Sequence, residues 1–359
     1  MPRKGLTKPL LVPGIFPAAR KTIVFTGVPF GDTILASQRN QKHWSNGVAM
    51  DGNPIHQIAL IGFGEVGGIF GHDFAAAGLN VSTFDILLNM ERCRSAMLAK
   101  AKSANVRPCD TLEGAVRGAD LVISAVTASS AVDVAGNAAP FLRAGQIYLD
   151  LNSVSPDTKL EIARALNESP ATFVEAAVMA AVSPQRLKVP MLLGGASAAT
   201  AAGRLQAIGM NVKPISERIG VASAIKMCRS IIIKGLEAIT VESMFTARRY
   251  GAEKQVLESL AATYPGMDWT GTLPDYLISR VAEHGTRRAA EMREAAHAVA
   301  DAGLEPLTAL ATAQRQHWLA QTIAEFSLAV SKGEKFAWQD LADAIAEAAS
   351  PQEKSSAHQ

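Results

Sequence analysis

Two different hydrophobic patterns divide the chain. From about residue 58 to residue 215, short continuous apolar runs alternate with alanine-rich stretches of helical length. Continuous apolar runs separated by helical segments are typical of a parallel sheet that is covered on both faces. From Gly220 onward such runs almost disappear, and Ala, Leu, Glu and Arg dominate as far as residue 349. The pattern therefore predicts an α/β half followed by an all-helical half.

Six apolar runs are the strand candidates. They read IALIG, NVSTFD, ADLVISAV, QIYLDL, TFVEAAV and PMLLGG. The helical half opens with a helix over about 221–249, which ends at RRYG, where Gly251 supplies the backbone freedom that helix C-termini favour. We expect four regions: a flexible extension over 1–54, an α/β domain over 55–219, a helical substrate and dimerisation domain over 220–349, and a frayed tail over 350–359.

The first 50 residues differ in charge from the rest of the chain. They hold seven Lys and Arg residues and one acid, Asp32, whereas the remainder holds 28 basic and 32 acidic residues. A mildly acidic body argues against nucleic acid as a partner, because phosphate binding needs a clustered basic face. These first 50 residues show no sustained hydrophobic period, and the last of them is Met50. Translation from an upstream start codon is one interpretation of this segment, and an organelle transit peptide is another.

Composition indicates an ordinary soluble protein. The chain is 48% hydrophobic and 19% charged, and no apolar run reaches the roughly 18–20 residues of a membrane-spanning helix. Cys93, Cys109 and Cys228 are odd in number and widely spaced, which fits neither a disulfide framework nor a zinc site. The histidines also lack metal-ligand spacing. We therefore expect a cytoplasmic protein with no metal ion and no membrane partner.

The segment IALIGFGEVGG places Gly62, Gly64 and Gly67 directly after a strand and at the start of a helix. This is the order of a dinucleotide-binding loop. The first glycine permits the tight turn, the second lets the backbone approach the pyrophosphate, and the third lets helix and strand pack closely. The helix N-terminus then offers N–H donors to the phosphates. The remaining cofactor contacts that we predict in this loop are Phe63, Glu65 and Val66.

Asp85 closes the strand that follows this helix. A carboxylate at that place accepts a hydrogen bond from a ribose 2′-hydroxyl and repels a 2′-phosphate, so the predicted cofactor is NAD. Arg92 and Arg94 follow closely and could reach a phosphate, which leaves NADP open.

The later motifs come in a recognisable order. ISAVTAS follows the glycine loop, then DLNSVSP, then EAAVMAAVS, and then a long helix that carries a lysine. Over about residues 57–330 this order resembles the β-hydroxyacid dehydrogenases, the family of 3-hydroxyisobutyrate and 6-phosphogluconate dehydrogenases. The resemblance implies a Rossmann dinucleotide-binding domain followed by an all-helical domain, a small-molecule substrate, and a homodimer formed through the helices.

The resemblance also implies contacts in two of these motifs. AVT matches the strand end that passes over the cofactor ribose, which gives Val126 and Thr127. DLNSVSP matches D-x-S-T-x-x-P, so Asn152 falls at the serine, a substrate contact, and Ser153 falls at the threonine beside the nicotinamide. Apart from any resemblance, Ser155 before a proline predicts a helix N-cap.

The motif EAAVMAA departs from the family pattern. Family members usually have S-G-G there, which grips a substrate carboxylate, whereas this chain has Met179, Ala180 and Ala181. Without the hydroxyl and the glycines, a larger or more apolar substrate becomes an alternative to a compact hydroxycarboxylate, because methionine adapts to irregular apolar space. A plain core role for Met179 is the other interpretation.

Lys226 lies on a narrow polar stripe of an apolar helix. From the residues alone, a lysine that reaches to water or pairs with Glu237 would explain it. The family signature G-x-G-x-x-x-K-x-x-N-N matches GVASAIKMCRS at its first glycine and its lysine, which implies that Lys226 exchanges the hydroxyl proton during hydride transfer. Ser230 and Arg229 replace the two asparagines; Ser230 can orient the lysine or the substrate, and Arg229 either binds an acidic group or is solvated.

The segment RRAAEM resembles a subgroup whose helical domain carries an R-R-x-x-E-M helix. Arg287 stands where typical members direct a charged pair into the cleft, which implies a clamp on a carboxylate or on the cofactor. We expect Arg288 and Glu291 to form a surface ion pair, because they are three residues apart. His284 is more simply structural.

The sequence therefore predicts NAD(P)-linked oxidation of a hydroxy acid or a related alcohol, or the reverse reduction, with Lys226 as general acid and base. Two alternatives stay open. Imine reduction on the same scaffold is disfavoured by Lys226, because relatives of that kind usually carry another residue there. A non-catalytic NAD(P)-binding sensor is kept open by the altered Met179–Ala181 motif.

Overall fold

The computed structural model describes residues 53–331 and 333–349. The predicted extension over 1–54 lies outside these ranges except for its last two residues, and the predicted tail over 350–359 lies outside them entirely.

An eight-stranded sheet forms the first half of the described chain, with the strand order β3-β2-β1-β4-β5-β6-β7-β8. The strands are β1 (Gln57–Ile61), β2 (Asn80–Phe84), β3 (Arg107–Pro108), β4 (Leu121–Ser124), β5 (Ile147–Asp150), β6 (Thr172–Val178), β7 (Met191–Gly194) and β8 (Val212–Ser216). Strands β1 to β6 are parallel to one another, which confirms the expected α/β arrangement.

The predicted parallel sheet contains one antiparallel pair of strands near its edge. β7 runs antiparallel to β6, and β8 is parallel to β7. Between β6 and β7 the chain forms only one-turn helices, which are too short for the crossover that a parallel neighbour needs. The strand candidates also omitted β3, which has two residues, and β8, whose edge position leaves Lys213 and Pro214 exposed.

Helices surround the sheet and then form the second half. Those of the α/β half are α1 (Glu65–Ala76), α2 (Glu91–Ser103), α3 (Leu112–Val116), α4 (Ala131–Ala138), α5 (Pro156–Ala165), α6 (Val182–Gln185) and α7 (Ala198–Ala207). Those of the helical half are α8 (Val221–Arg249), α9 (Glu253–Thr263), α10 (Leu273–Asp301), α11 (Leu307–Glu325) and α12 (Trp338–Ala348). None of these described helices combines the length and the apolar character that crossing a membrane requires.

The sheet carries a separate apolar core on each face. Along β1, Ile58 and Leu60 belong to one buried cluster, and Ala59 and Ile61 belong to another. Successive side chains of a strand point to opposite faces, so the two clusters lie on the two sides of the sheet. This double coverage explains why the strands read as continuous apolar runs.

The helical half is built around α8, α10 and α11, whose buried side chains include Val241, Ile278 and Leu319. A Cβ added at Gly285 of α10 would lie 2.5 Å from the Gln316 carbonyl oxygen of α11, so the two backbones approach each other closely there. The expected helix over 221–249 is confirmed by the bounds of α8, and Gly251 takes the left-handed conformation just beyond its end, with φ of +64°.

A buried carboxylate attaches the start of α8 to the sheet. Glu175 of β6 is fully buried and accepts hydrogen bonds from the Gly220 N–H (2.8 Å), the Ala222 N–H (3.1 Å) and the Ser223 hydroxyl (3.0 Å). These donors belong to the first turn of the helix, whose backbone N–H groups lack partners within the helix. A Cβ added at Gly194 would lie 2.3 Å from Glu175 Oε1, so the neighbouring strand needs a glycine there.

Candidate functional site

The glycine loop has the geometry that a dinucleotide site needs. Gly62 has φ of +92°, and a Cβ there would lie 2.4 Å from the Ala125 carbonyl oxygen. A Cβ at Gly67 would lie 2.1 Å from the Gly62 carbonyl oxygen, whereas a Cβ at Gly64 would meet nothing within 4 Å. Two glycines are therefore required by the fold, and the third faces open space at the N-terminus of α1, where a phosphate can approach the N–H groups.

Asp85 links the glycine loop to the end of β2. Its Oδ2 accepts from the Phe63 N–H at 2.7 Å, and its Oδ1 accepts from the Leu87 N–H at 2.9 Å. A carboxylate has about four acceptor positions, so each oxygen can still accept from a ribose hydroxyl. Arg94 donates to the Leu88 carbonyl oxygen and to Asp110, so this arginine is already engaged within the protein.

Lys100 of α2 contacts this loop, and the sequence motifs did not predict it. Its ammonium donates to the carbonyl oxygens of Phe63 (2.6 Å) and Gly64 (2.7 Å) and lies 5.0 Å from the centre of the Phe63 ring. It brings a positive charge to the place where a pyrophosphate would lie. No motif surrounds this lysine, so only the packing of α2 against the loop reveals its position.

Asn152 connects the ends of β4 and β5. Its Oδ1 accepts from the Val126 N–H at 2.7 Å, and its amide nitrogen donates to the Ser124 hydroxyl at 3.0 Å and to Asp150. Asp150 in turn pairs with Lys159, and both side chains are almost fully buried. Because both N–H groups of Asn152 are used inside the protein, its geometry favours holding the Val126 backbone in place. A direct contact of Asn152 with substrate stays a prediction.

Ser153 and Thr127 differ in their availability to a ligand. The Ser153 hydroxyl oxygen is buried and has no hydrogen-bond partner within the described ranges, and a buried hydroxyl is normally paired. Thr127 is exposed, and its hydroxyl lies 3.0 Å from that of Ser130. The open Gly64 position and the unpaired Ser153 hydroxyl both fit a bound dinucleotide.

The loop after β5 contacts the helical half of the chain. The predicted N-cap is confirmed, because the Ser155 hydroxyl accepts from the Thr158 N–H at 3.3 Å. The Ser155 N–H donates to Glu294 of α10 at 3.2 Å. The same loop thus carries Ser153 to the junction between the sheet and the helices.

Lys226 of α8 is partly buried and forms no ion pair within the part of the chain that the structure describes. Burial lowers the pKa of Lys226 to about 8; the charge of Glu291 acts in the opposite direction, and the charges of Lys159, Lys234 and Arg287 lower this pKa further. These groups belong to α5, α8 and α10, so the amine lies where the two halves meet. The alternative of a pair with Glu237 fails, because that carboxylate bonds elsewhere.

A second lysine lies on the same helix, and the sequence analysis missed it. Lys234 is buried, lies 2.9 Å from Glu291 Oε2 and donates to the Ser230 hydroxyl at 3.0 Å. Arg287 approaches the other oxygen of Glu291. Lys234 and Arg287 hold the pKa of Glu291 down to about 2 against the effect of burial. The spacing of 226, 230 and 234 in steps of four was the available signal.

The expected surface pair of Arg288 and Glu291 is wrong. Arg288 is buried and lies 3.1 Å from Glu237 Oε1, while Gln316 donates to Glu237 Oε2 at 3.1 Å. Residue 288 faces the contact of α10 with α8 and α11, whereas Glu291 is reached by Arg287 at a spacing of four. A spacing of three positions therefore did not decide the partner of Arg288; the neighbouring helices did.

The remaining predicted site residues lie nearer the surface. Met179 follows β6, is partly buried, and donates its N–H to the Pro190 carbonyl oxygen at 2.9 Å. Ala180, Ala181 and Arg229 are exposed. Contact of these residues with a substrate stays a prediction. In the described ranges no group of three or more His, Cys, Asp and Glu side chains is arranged to hold a metal ion.

A glycine loop between β1 and α1, in an α/β half that is followed by a helical half, is the arrangement of a dinucleotide-dependent oxidoreductase with a helical second region. Comparison with family models agrees. Residues 57–215 match the NAD binding domain of 6-phosphogluconate dehydrogenase, and residues 247–319 match a domain of unknown function (DUF1932).

The individual relatives include one dehydrogenase and two proteins without a stated function. An uncharacterized 28.5 kDa protein of Methanothermus fervidus is 32% identical over 211 residues, which cover 58% of this chain and 77% of that protein. The 3-hydroxyisobutyrate dehydrogenase of Pseudomonas aeruginosa is 24% identical over 219 residues, or 59% of this chain and 71% of the enzyme. A solved structure of a conserved hypothetical protein from Sinorhizobium meliloti 1021 is 36% identical, with a TM-score of 0.69, and covers 82% of this chain and 97% of that one.

The chain therefore belongs to the β-hydroxyacid dehydrogenase family. Its class is that of the NAD(P)-dependent dehydrogenases and reductases that act on CH–OH groups.

Proposed function

We propose that the protein transfers a hydride between NAD and the carbinol carbon of a hydroxy acid or a related alcohol, with Lys226 as general acid and base. The observation that carries the proposal is the position of this amine, partly buried at the junction of sheet and helices, with a pKa of about 8 and no ion pair among the described residues. An amine with such a pKa exchanges protons near neutral pH. Above that pKa it accepts the hydroxyl proton during oxidation, and below it the ammonium returns the proton during reduction.

The cofactor would lie over the ends of β1, β4 and β5, in a domain over 55–219. When bound, it accepts or supplies the hydride. The residues that we assign to its phosphates are Gly62, Phe63, Gly64, Glu65, Val66 and Gly67. Asp85 would accept from the ribose and so favour NAD over NADP, and the Lys100 charge supports a pyrophosphate at this loop. Val126, Thr127 and Ser153 would lie along the ribose and the nicotinamide.

The substrate would lie between this face and a domain over 220–349. Ser230 would contact its reacting oxygen, and Arg287 would bind its acidic group, since an arginine fork matches a carboxylate. Asn152, Met179, Ala180 and Ala181 would border the cleft. Methionine and alanine in place of a hydroxyl and glycines favour a hydroxy acid with an apolar substituent.

We extend the proposal to a homodimer in the cytoplasm. Ile225, Ile232 and Ile239 repeat every seven residues along α8 and are 41%, 73% and 61% exposed. Such a row can pack against the same row of a second copy. The mass from light scattering should be that of a dimer, and Ile232→Glu should shift it toward the monomer.

The test compares purified wild type with Lys226→Ala and with Lys254→Ala, which removes an exposed lysine of α9. NADH binding is followed by fluorescence, and hydroxy acids, polyols and cyclic imines are screened for turnover. Lys226→Ala should bind NADH normally and lose about 10²–10⁴-fold in kcat, and Lys254→Ala should match wild type. In wild type, the rate of oxidation should rise through about pH 8.

Other outcomes of this experiment would favour a different function. Undiminished turnover in Lys226→Ala would rule out the proposed proton transfer. Turnover of cyclic imines without dependence on the lysine favours imine reduction, and NADH binding without turnover of any class favours a sensor.

A further inference from the structure

Three polar side chains form a row along α8. Lys226, Ser230 and Lys234 are spaced by four residues, and this spacing places them on neighbouring turns of one helix face. Lys234 donates to the Ser230 hydroxyl oxygen at 3.0 Å, and both side chains are buried. The row places the Ser230 hydroxyl between the proposed proton-exchanging amine and a second amine along the helix.

The direction of this hydrogen bond determines what Ser230 can do. An ammonium group has donors and no acceptor, so the Ser230 oxygen must accept from Lys234. The hydroxyl proton of Ser230 is then free to point elsewhere, and no acceptor for it is found within the described ranges. A hydroxyl that accepts from a cation also donates more strongly, because hydrogen bonds in a chain polarise one another.

Glu291 holds Lys234 in this arrangement. Its Oε2 lies 2.9 Å from the Lys234 ammonium, and Arg287 engages its other oxygen from the same helix, α10. Lys234 therefore has a fixed position between α8 and α10. A buried cation without such a partner would be strongly destabilising.

We infer that Lys234 is a positioning residue: anchored by Glu291, it donates to Ser230 and so directs the Ser230 O–H at the substrate oxygen that exchanges its proton with Lys226. This inference rests on the proposed function and deepens it. During oxidation the substrate hydroxyl proton passes to the Lys226 nitrogen while the hydride leaves for the cofactor. Ser230 only donates a hydrogen bond to the oxygen, and neither Ser230 nor Lys234 changes its covalent state. The pair thus supplies the donor that the missing asparagine would have given.

The same arrangement sets the charge around Lys226. The charged groups that act on it are Glu291 and Arg287 of α10, Lys159 of α5 and Lys234 of its own helix. Glu291 raises the pKa of Lys226, and Lys234 lowers it. Removing one or the other should therefore move the titration of Lys226 in opposite directions. A Lys234–Glu291 pair that lay too far from Lys226 to act on it would lower stability in both variants without moving this titration.

The first measurement needs no substrate. Lys226 is acetylated with limiting acetic anhydride over a range of pH in the full-length protein, and its modification is quantified by mass spectrometry. Glu291→Gln should shift the midpoint to lower pH, and Lys234→Met should shift it to higher pH. A shift of half a unit changes the labelling rate about threefold below the midpoint. The matched control is Glu283→Gln on the same helix, whose carboxylate lies 3.6 Å from His284, and it should leave the midpoint unchanged.

The second measurement is a double-mutant cycle on kcat. Lys234→Met and Ser230→Ala should each lower kcat about tenfold, as expected for one lost hydrogen bond in the transition state. At a pH well above the Lys226 midpoint of every variant, the double variant should be no slower than either single one, because Lys234 acts on kcat through the Ser230 O–H. The KM for NADH should stay the same, since neither residue lies in the glycine loop.

The outcomes separate the two proposals. If wild type turns over a substrate and the two losses multiply, the positioning role is wrong while the proposed function stands. If no substrate is turned over, the titration decides alone: opposite shifts support the coupling, and unchanged midpoints in both variants overturn it. If Lys234→Met fails to fold, two other variants test the same coupling. Glu291→Gln should still lower the midpoint, and Lys234→Arg, which keeps the charge, should have the wild-type midpoint.

Discussion

Two lysines near the cleft have opposite surroundings. Lys159 pairs with Asp150 and also donates to its carbonyl oxygen, and both side chains are at most 1% exposed. Lys226 lies near one carboxylate, Glu291, which it shares with Lys234 and with an arginine. Around Lys159 each charge has a partner of opposite sign, whereas around Lys226 cations outnumber anions.

This difference separates a structural ion pair from an amine that we propose to be catalytic. The compensated pair fixes Asn152, which in turn holds the Val126 backbone at the proposed cofactor face. The uncompensated amine has a pKa moved to about 8, where it can exchange a proton. Perturbed pKa values of this kind concentrate at functional sites. Three substitutions test this difference between compensated and uncompensated groups.

The largest effect is expected from Lys159→Met. The variant leaves the Asp150 carboxylate buried without its cation, which should lower the free energy of unfolding by about 3–5 kcal/mol in urea denaturation. Burial raises the pKa of Asp150, so in the variant the loss should grow as pH rises above the ordinary range of an aspartate, near 4.

The control for this prediction is the double variant Lys159→Met with Asp150→Asn. It removes both charges and should recover part of the lost stability. A single variant that lost under about 1 kcal/mol would show that water reaches the pair, and the contrast with Lys226 would then disappear.

The sequence predicts the features that depend on residues close together in the chain, and it misses those that depend on residues far apart in the chain. The glycine loop, the strands β1, β2 and β4 to β7, and α8 depend on residues that are neighbours in the chain, and the local pattern identified them. The short edge strands β3 and β8 have too few apolar positions to form a pattern. The antiparallel direction of β7 depends on the length of a connection rather than on the strand itself.

The candidate site likewise contains residues that the sequence identifies and contacts that only the fold reveals. Lys226 was assigned its role because the family signature matches its helix, whereas the residues alone favoured a lysine that reaches water or pairs with Glu237. Its catalytic role stays a prediction. The pairing of Glu291 with Lys234 was missed because 57 residues separate them, and only the packing of α10 on α8 brings them to 2.9 Å. The cap of α8 by Glu175 was missed for the same reason, since its donors lie 45 to 48 residues away.

Lys226→Met should give a smaller effect of the opposite sign. The folded-state pKa of about 8 lies below the ordinary value of 10.5, so holding the charged amine in the folded protein costs stability below pH 8. That cost fades as pH rises toward 10.5. At pH 7 the variant should be more stable by about 1 kcal/mol, discounted for partial exposure, while turnover is lost.

Melting temperatures at pH 7 and near pH 10.5 measure this difference. The gain in Tm over wild type should be present at pH 7 and small at the higher pH. Lys254→Met, at an exposed position of α9, should show no gain at either pH. A destabilised Lys226→Met at pH 7 would mean that the amine is compensated after all, and the two lysines would then belong to one class.

The smallest effect on stability is expected from Ser153→Ala, measured against Ser155→Ala two residues away. The Ser153 hydroxyl has no partner among the described residues, so removing it should change the free energy of unfolding by less than about 0.5 kcal/mol. Ser155 caps α5, and its replacement should cost about 1 kcal/mol. The order should reverse for NADH binding by fluorescence: Ser153→Ala should bind about 2–10-fold more weakly, the value of one hydrogen bond, and Ser155→Ala should bind normally. Equal binding by both variants would mean that the unpaired hydroxyl does not face the cofactor, and the nicotinamide would then have to lie elsewhere on this edge of the sheet.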